Sequence, residues 1–155
     1  MTEFFNVTLA LPAQAPVRPK PEQVEALQNR LAELPQVETT LHHLFAPGMY
    51  VRRLEIPAGS VVVGKKHRHS HPVMLTKGTA TINTDRGMET IHAPHVWVSE
   101  PGAKRALVTH TDCEFVTVHL NENDTTDLDA LEADIIIPEP HLSLPDALKH
   151  MEVLA

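Results

Sequence analysis

PAGSVVVGKKHRHSHPVMLTKGTATI, residues 57–82, is the stretch on which the reading of this chain turns. Pro57 with Gly59, and then Gly78, are residues that tight turns demand, and they bracket two apolar, β-branched runs. Between the runs stand His67, His69 and His71 at alternate positions. Alternation is the period of an extended strand, so such a backbone would send all three imidazoles to one face. Three neutral ring nitrogens on one side can hold a transition metal and leave coordination positions open for water or substrate. The plainer reading is a solvated polar loop, because Lys65, Lys66 and Arg68 make the segment cationic and oppose metal entry. Both readings stand on spacing alone.

Outward from this stretch, Met49 to Leu120 divides into short strands. They are expected at Met49–Ile56, Ser60–Lys65, His71–Thr76, Thr79–Thr84, Glu89–His92, His95–Val98, Arg105–His110 and Glu114–Leu120. The breaks carry Gly78, Asp85 with Gly87, Pro94, and Pro101 with Gly102. Many short, evenly spaced strands with no helical pattern between them predict an all-β sandwich or barrel and exclude parallel βαβ units. Residues 1–48 read as an N-terminal arm and helix. Pro12, Pro16 and Pro19 deny regular structure to Met1–Lys20, whereas Pro21 opens a helix whose Val24, Leu27, Leu31 and Leu34 form one stripe before Pro35. Residues 121–155 read as a helical extension. Leu128, Leu131 and Ile135 follow a cap at Thr126 or Asp127, and a second helix is expected from Ser143 to Leu154.

The whole chain has 155 residues, enough for one domain with a real core. Its formal net charge of −7 argues against a basic nucleic-acid surface, so no nucleic-acid partner is expected. Cys113, the single cysteine, excludes an intrachain disulfide and reads as a core residue. No apolar run reaches the length of a membrane span and no signal-peptide pattern opens the chain, so no membrane partner and a cytoplasmic location are expected. The proline-rich arm and the apolar stripes of the terminal helices need surfaces to lie on, which predicts a homo-oligomer.

The stretch 57–82 resembles the first signature motif of the cupin superfamily, in which an H-x-H pair, a short gap, a Glu, six residues and a Gly shape a metal site inside a small jelly-roll barrel. With Gly78 as the anchor, His71 stands at the family's Glu and His67 at its second His, which leaves Lys65 at the first. A second alignment takes His67 and His69 as the pair. Strand parity favours the former: Val61, Val63, Lys65 and His67 would share one inward face, and His71, Val73 and Leu75 another. The second cupin motif has an echo in SEPGAKRALVT, where Arg105 stands at the last ligand; an arginine clamps carboxylate or phosphate and does not ligate metal. His119 is expected to face away from the site, because Val116, Val118 and Leu120 look like the core face of its strand.

More narrowly, HHLFAPGMYVRRLEIPAGS, the histidine hairpin, VSEPGAKRALVTHTDCEFVTVH and the acidic DTTDLDALEADII resemble a group of small cupin-like proteins of tailed bacteriophages and prophages. These resemblances imply a cupin-type jelly-roll barrel with helices at both ends. They imply a pocket in which His67, His69 and His71 bind a divalent transition metal (zinc, iron, manganese or nickel), while Lys65 and Arg105 hold a small anionic ligand. The alternative is a non-catalytic phage virion or assembly protein, partnered by other phage proteins, that uses the jelly roll as an oligomerisation block and would sit in the host cytoplasm or the virion.

Overall fold

The computed structural model describes residues 19–139. The Met1–Lys20 arm, apart from its last two residues, and the expected Ser143–Leu154 helix lie outside the described residues. Helix α1 spans Pro21–Ala32, with proline at the first helical position and the Gln23 side chain accepting from the Lys20 backbone N–H at 2.8 Å. The strands are β1 (Thr40–Ala46), β2 (Met49–Ile56), β3 (Val61–Val63), β4 (His71–Lys77), β5 (Thr79–Thr84), β6 (Gly87–His92), β7 (His95–Ser99), β8 (Ala106–Thr109) and β9 (Cys113–Leu120). Helix α2 spans Leu128–Ile135. Its cap is Asp127, whose carboxylate accepts from the Asp129 and Ala130 N–H groups. Among the described residues no helix is long and apolar enough to cross a membrane.

Among the described residues all strand pairing is antiparallel. One sheet runs β1-β2-β9-β4-β7 and the other β3-β8-β5-β6, so the chain crosses repeatedly between two facing sheets as a jelly-roll barrel does. Leu54, Val62, Val73, Leu75, Leu107 and Phe115 form the centre of the core. The corner between β4 and β5 depends on Gly78, whose φ of +91° suits glycine. A Cβ there would collide with the Asp112 carbonyl oxygen and lie 2.8 Å from Cys113 Sγ. Cys113 is buried and free, as a core residue should be.

Three features differ from the sequence reading. The barrel begins at Thr40, because β1 pairs along the whole of β2, whereas residues up to 48 read as arm and helix. On β3 it is Val62 that enters the barrel core, while Val61 packs on the outside with Val108 against Leu31 of α1. The expected parity is therefore inverted there, because α1 gives the outer face of that sheet a second apolar layer. On β9 the buried residues are Cys113, Phe115, Thr117 and His119. Val116, Val118 and Leu120 belong to the outer face of the five-stranded sheet, where Leu120, Val96 and Val98 are exposed.

Candidate metal centre

Register brings the first two elements of the site together. Val73 of β4 pairs with Thr117 of β9, so two residues further along His71 faces His119 across the same pair of strands. Their rings lie 4.7 Å apart. The third ring arrives from a loop. After β3 the chain leaves the sheet at Gly64, and its 66–68 backbone is clamped by the segment that ends α2. Arg68 N–H donates to the Ile135 carbonyl, Ile137 N–H donates to the Lys66 carbonyl, and His67 bridges Ile136. Gly102 N–H donates to the His67 carbonyl from the other side. This clamp sets the His67 ring 4.2 Å from His71 and stacks it on His119 at 5.4 Å. One nitrogen from each of the three rings lies within 4.8 Å of the others, and all three residues are buried.

The hydrogen bonds say which nitrogens are available. His71 Nδ1 lies 3.2 Å from the His69 carbonyl, which can only accept, so Nδ1 carries the proton and Nε2 keeps its lone pair. Nε2 of His67 and Nε2 of His71 are both buried without a hydrogen-bond partner. His119 Nε2 meets the Thr117 hydroxyl at 2.9 Å. Ring orientation by a carbonyl or hydroxyl on the far nitrogen is the usual support of a ligating histidine. Burial, followed by the charge of neighbouring His71 and Arg52, pushes the His67 pKa down to about 3. The same causes, burial first and then His71, His67 and Arg52, push His119 down to about 2, and burial lowers His71 as well. The three rings are neutral at physiological pH, which is the ligating form.

Of the residues expected at the site, His67 and His71 are in this group and His69 is not. His69 is exposed, because the backbone between His67 and His71 is a bend and the alternation of a strand does not hold through it. Lys65, largely covered, is engaged in an ion pair with Glu132 of α2. Arg105 Nη1 donates to the Asn83 carbonyl at 3.0 Å, and no contact among the described residues joins it to the histidines. The residue missed was His119. Its signal was the inward parity of Phe115 and Thr117, masked by the valines on the other face.

Around the cluster lie further polar groups. Tyr50 pairs with His119 across β2 and β9, their rings are 6.0 Å apart, and the Tyr50 phenol meets His43 Nδ1 at 2.6 Å. Leu131, Ile135 and Ile136 pack on Tyr50, so α2 and the residue after it close this end of the barrel. The histidine group contains no carboxylate. With buried, partnerless nitrogens of His67 and His71 converging beside His119, the residues present fit a divalent transition metal.

No protein-family model matches the sequence, and no curated protein matches it. Solved structures do. A salicylate 1,2-dioxygenase variant from Pseudoaminobacter salicylatoxidans aligns with a TM-score of 0.50 at 11% identity over 72% of this chain, which spans 34% of that protein. A cupin superfamily protein from Desulfitobacterium hafniense aligns at 0.48 with 13% identity over 58% of this chain and 86% of its own. An acetylacetone dioxygenase from Acinetobacter johnsonii aligns at 0.46 with 19% identity over 59% and 72%. At these identities the likeness shows the fold alone, a jelly-roll barrel.

Proposed function

We propose that this chain is a mononuclear metal-dependent cupin that acts on a small organic molecule at a centre held by His67, His71 and His119. The observation that carries the reading is the pair of buried, partnerless Nε2 atoms on His67 and His71, brought with His119 to within 4.8 Å of one another. Leaving a buried polar atom unpaired is costly, and two beside a third buried imidazole have a common explanation in a shared ion. A divalent transition metal there, whether zinc, iron, manganese or nickel, would supply Lewis acidity, and iron would add electrons for oxygen chemistry. Dioxygenation is the reaction class named for two structural neighbours and is the class we assign to an iron-loaded site.

The chain's own residues do the rest. The His69 carbonyl holds the His71 ring in its ligating tautomer, and the Thr117 hydroxyl fixes the orientation of the His119 ring. The apolar face of α2 over Tyr50 keeps bulk water out. The Tyr50 and His43 pair holds a proton beside His119 on a short hydrogen bond, where it can be passed to a reacting group.

Elemental analysis of protein purified without a histidine tag, followed by titration with Zn²⁺ or anaerobic Fe²⁺, tests the proposal. We expect about one ion per chain, abolished by replacing His67 and His71 together with Ala. A wild-type protein that binds neither metal, or a double variant that binds as well, would overturn it.

A further inference from the structure

We propose that Arg52 binds the carboxylate of a small organic anion beside the three-histidine centre, which makes the substrate class an organic acid. The inference rests on the metal-centre reading above for where the small molecule sits. Its own support begins with register. On β2 the inward residues are Tyr50, Leu54 and Ile56, all buried, and Arg52 occupies the same face between them. It pairs with Thr117 on one side and with His43 on the other. Thr117 is the residue that holds His119, so the Arg52 stem starts one cross-strand step from Thr117 and one diagonal step from the metal-site ring. The guanidinium is near enough for its charge to bear on His67, His119, Tyr50 and His43.

The second support is that Arg52 is uncommitted. Its Nε is buried with no hydrogen-bond partner, and no ion pair or hydrogen bond to Arg52 is formed among the described residues. Other cations around this end are engaged: Lys65 with Glu132, Lys66 with Glu25 and Glu139, and Lys104 with Glu139. Glu132, the acid whose charge Arg52 feels, is the one bound to Lys65. A partly buried guanidinium with no carboxylate of its own is satisfied when a ligand brings one, and its planar fork matches a carboxylate with two parallel bonds.

Charge balance points the same way. Three neutral imidazoles contribute no negative charge, so a divalent ion would keep its full formal charge, to which Arg52 adds another positive unit. Such a pocket selects an anion over its neutral isostere.

The test uses the full chain with and without zinc. Acetate and benzoate are titrated against their neutral counterparts acetamide and benzamide, followed by calorimetry and by the ¹⁵N-detected Nε–H signal of Arg52. The expected result is saturable binding of the carboxylates, a shift of the Arg52 signal, and at least tenfold weaker carboxylate binding in Arg52→Gln with zinc binding retained. Arg53→Gln, on the outward face of the same strand and paired with Glu114 at 3.8 Å, should change neither. Carboxylates that bind no better than the amides, or bind Arg52→Gln as well as wild type, would overturn the proposal, as would loss of zinc from Arg52→Gln. Should Arg52→Gln fail to fold, Arg52→Lys keeps the charge without the fork; weaker carboxylate binding is expected, and unchanged binding overturns the proposal. A wild type that takes no zinc refutes the metal reading by its own measurement. Carboxylate binding to the metal-free chain that is lost in Arg52→Gln would still support the anion site.

Discussion

Acidifying the metal-free protein through the ordinary histidine range should destabilise it well before its carboxylates titrate. His67 and His119 are held neutral in the fold, with pKa values pushed down to about 3 and about 2 chiefly by burial, whereas in the unfolded chain each titrates near 6.5. The unfolded state therefore binds more protons than the native state at any pH between those limits, and stability falls as pH falls. The contribution is complete above the unfolded pKa and is lost progressively below it. Between about pH 7.5 and about pH 5.5 each such imidazole costs about 1.4 kcal/mol by linkage, so the two together remove roughly 3 kcal/mol. His71, lowered in the same direction, adds to the loss. For a domain of this size that corresponds to a fall in Tm of about 10 °C. Thermal unfolding followed by circular dichroism across this range, in the presence of a chelator, measures it. His119→Leu should fall less steeply, by about 1.4 kcal/mol over the same interval. A flat wild-type profile, or an unchanged slope in His119→Leu, would refute the assignment of these rings as buried and neutral.

Two stability predictions concern the scaffold. Gly78→Ala forces a Cβ onto the Asp112 carbonyl oxygen at a φ of +91° and should cost about 3 kcal/mol or more in denaturant unfolding; a loss below about 1 kcal/mol would contradict the tight corner. Asp127→Ala removes the cap that accepts from Asp129 and Ala130 and should cost about 1 kcal/mol, with hydrogen exchange rising in α2 rather than in the strands.

The barrel was legible in the sequence because turn residues punctuate it. Gly78, Gly87 and Gly102 all adopt positive φ at the corners, and strands β4, β5 and β7 fall within a residue of their expected bounds. His71, Val73 and Leu75 face inward as alternation predicts. Parity failed where both faces of a strand are apolar. On β9, valines cover the outside of the sheet while Thr117 and His119 line the inside, so hydrophobicity pointed to the wrong face and hid the third histidine. On β3 the same ambiguity arose from α1 packing outside. The spacing of His67, His69 and His71 suggested a strand, but His67 is placed by a clamp to Ile135 and Ile137, residues far along the chain that no local pattern reveals. Lys65 and Arg105 carry charge near the motif and are visible from it, whereas the place of Arg52 beside Thr117 follows only from the pairing of β2 with β9. The narrower likeness to phage proteins finds no support in the two dioxygenases or the Desulfitobacterium cupin, whose likeness bears on the barrel alone.

Metal stoichiometry in two single variants tests the three-histidine centre most directly. Untagged His119→Ala and His69→Ala, each confirmed to be folded by circular dichroism, are loaded with zinc, desalted and assayed by elemental analysis beside wild type. The His67, His71 and His119 centre predicts that His119→Ala loses the bound ion while His69→Ala, altered at an exposed position, retains it. Retention by His119→Ala together with loss from His69→Ala would contradict it and return the site to the alternating motif.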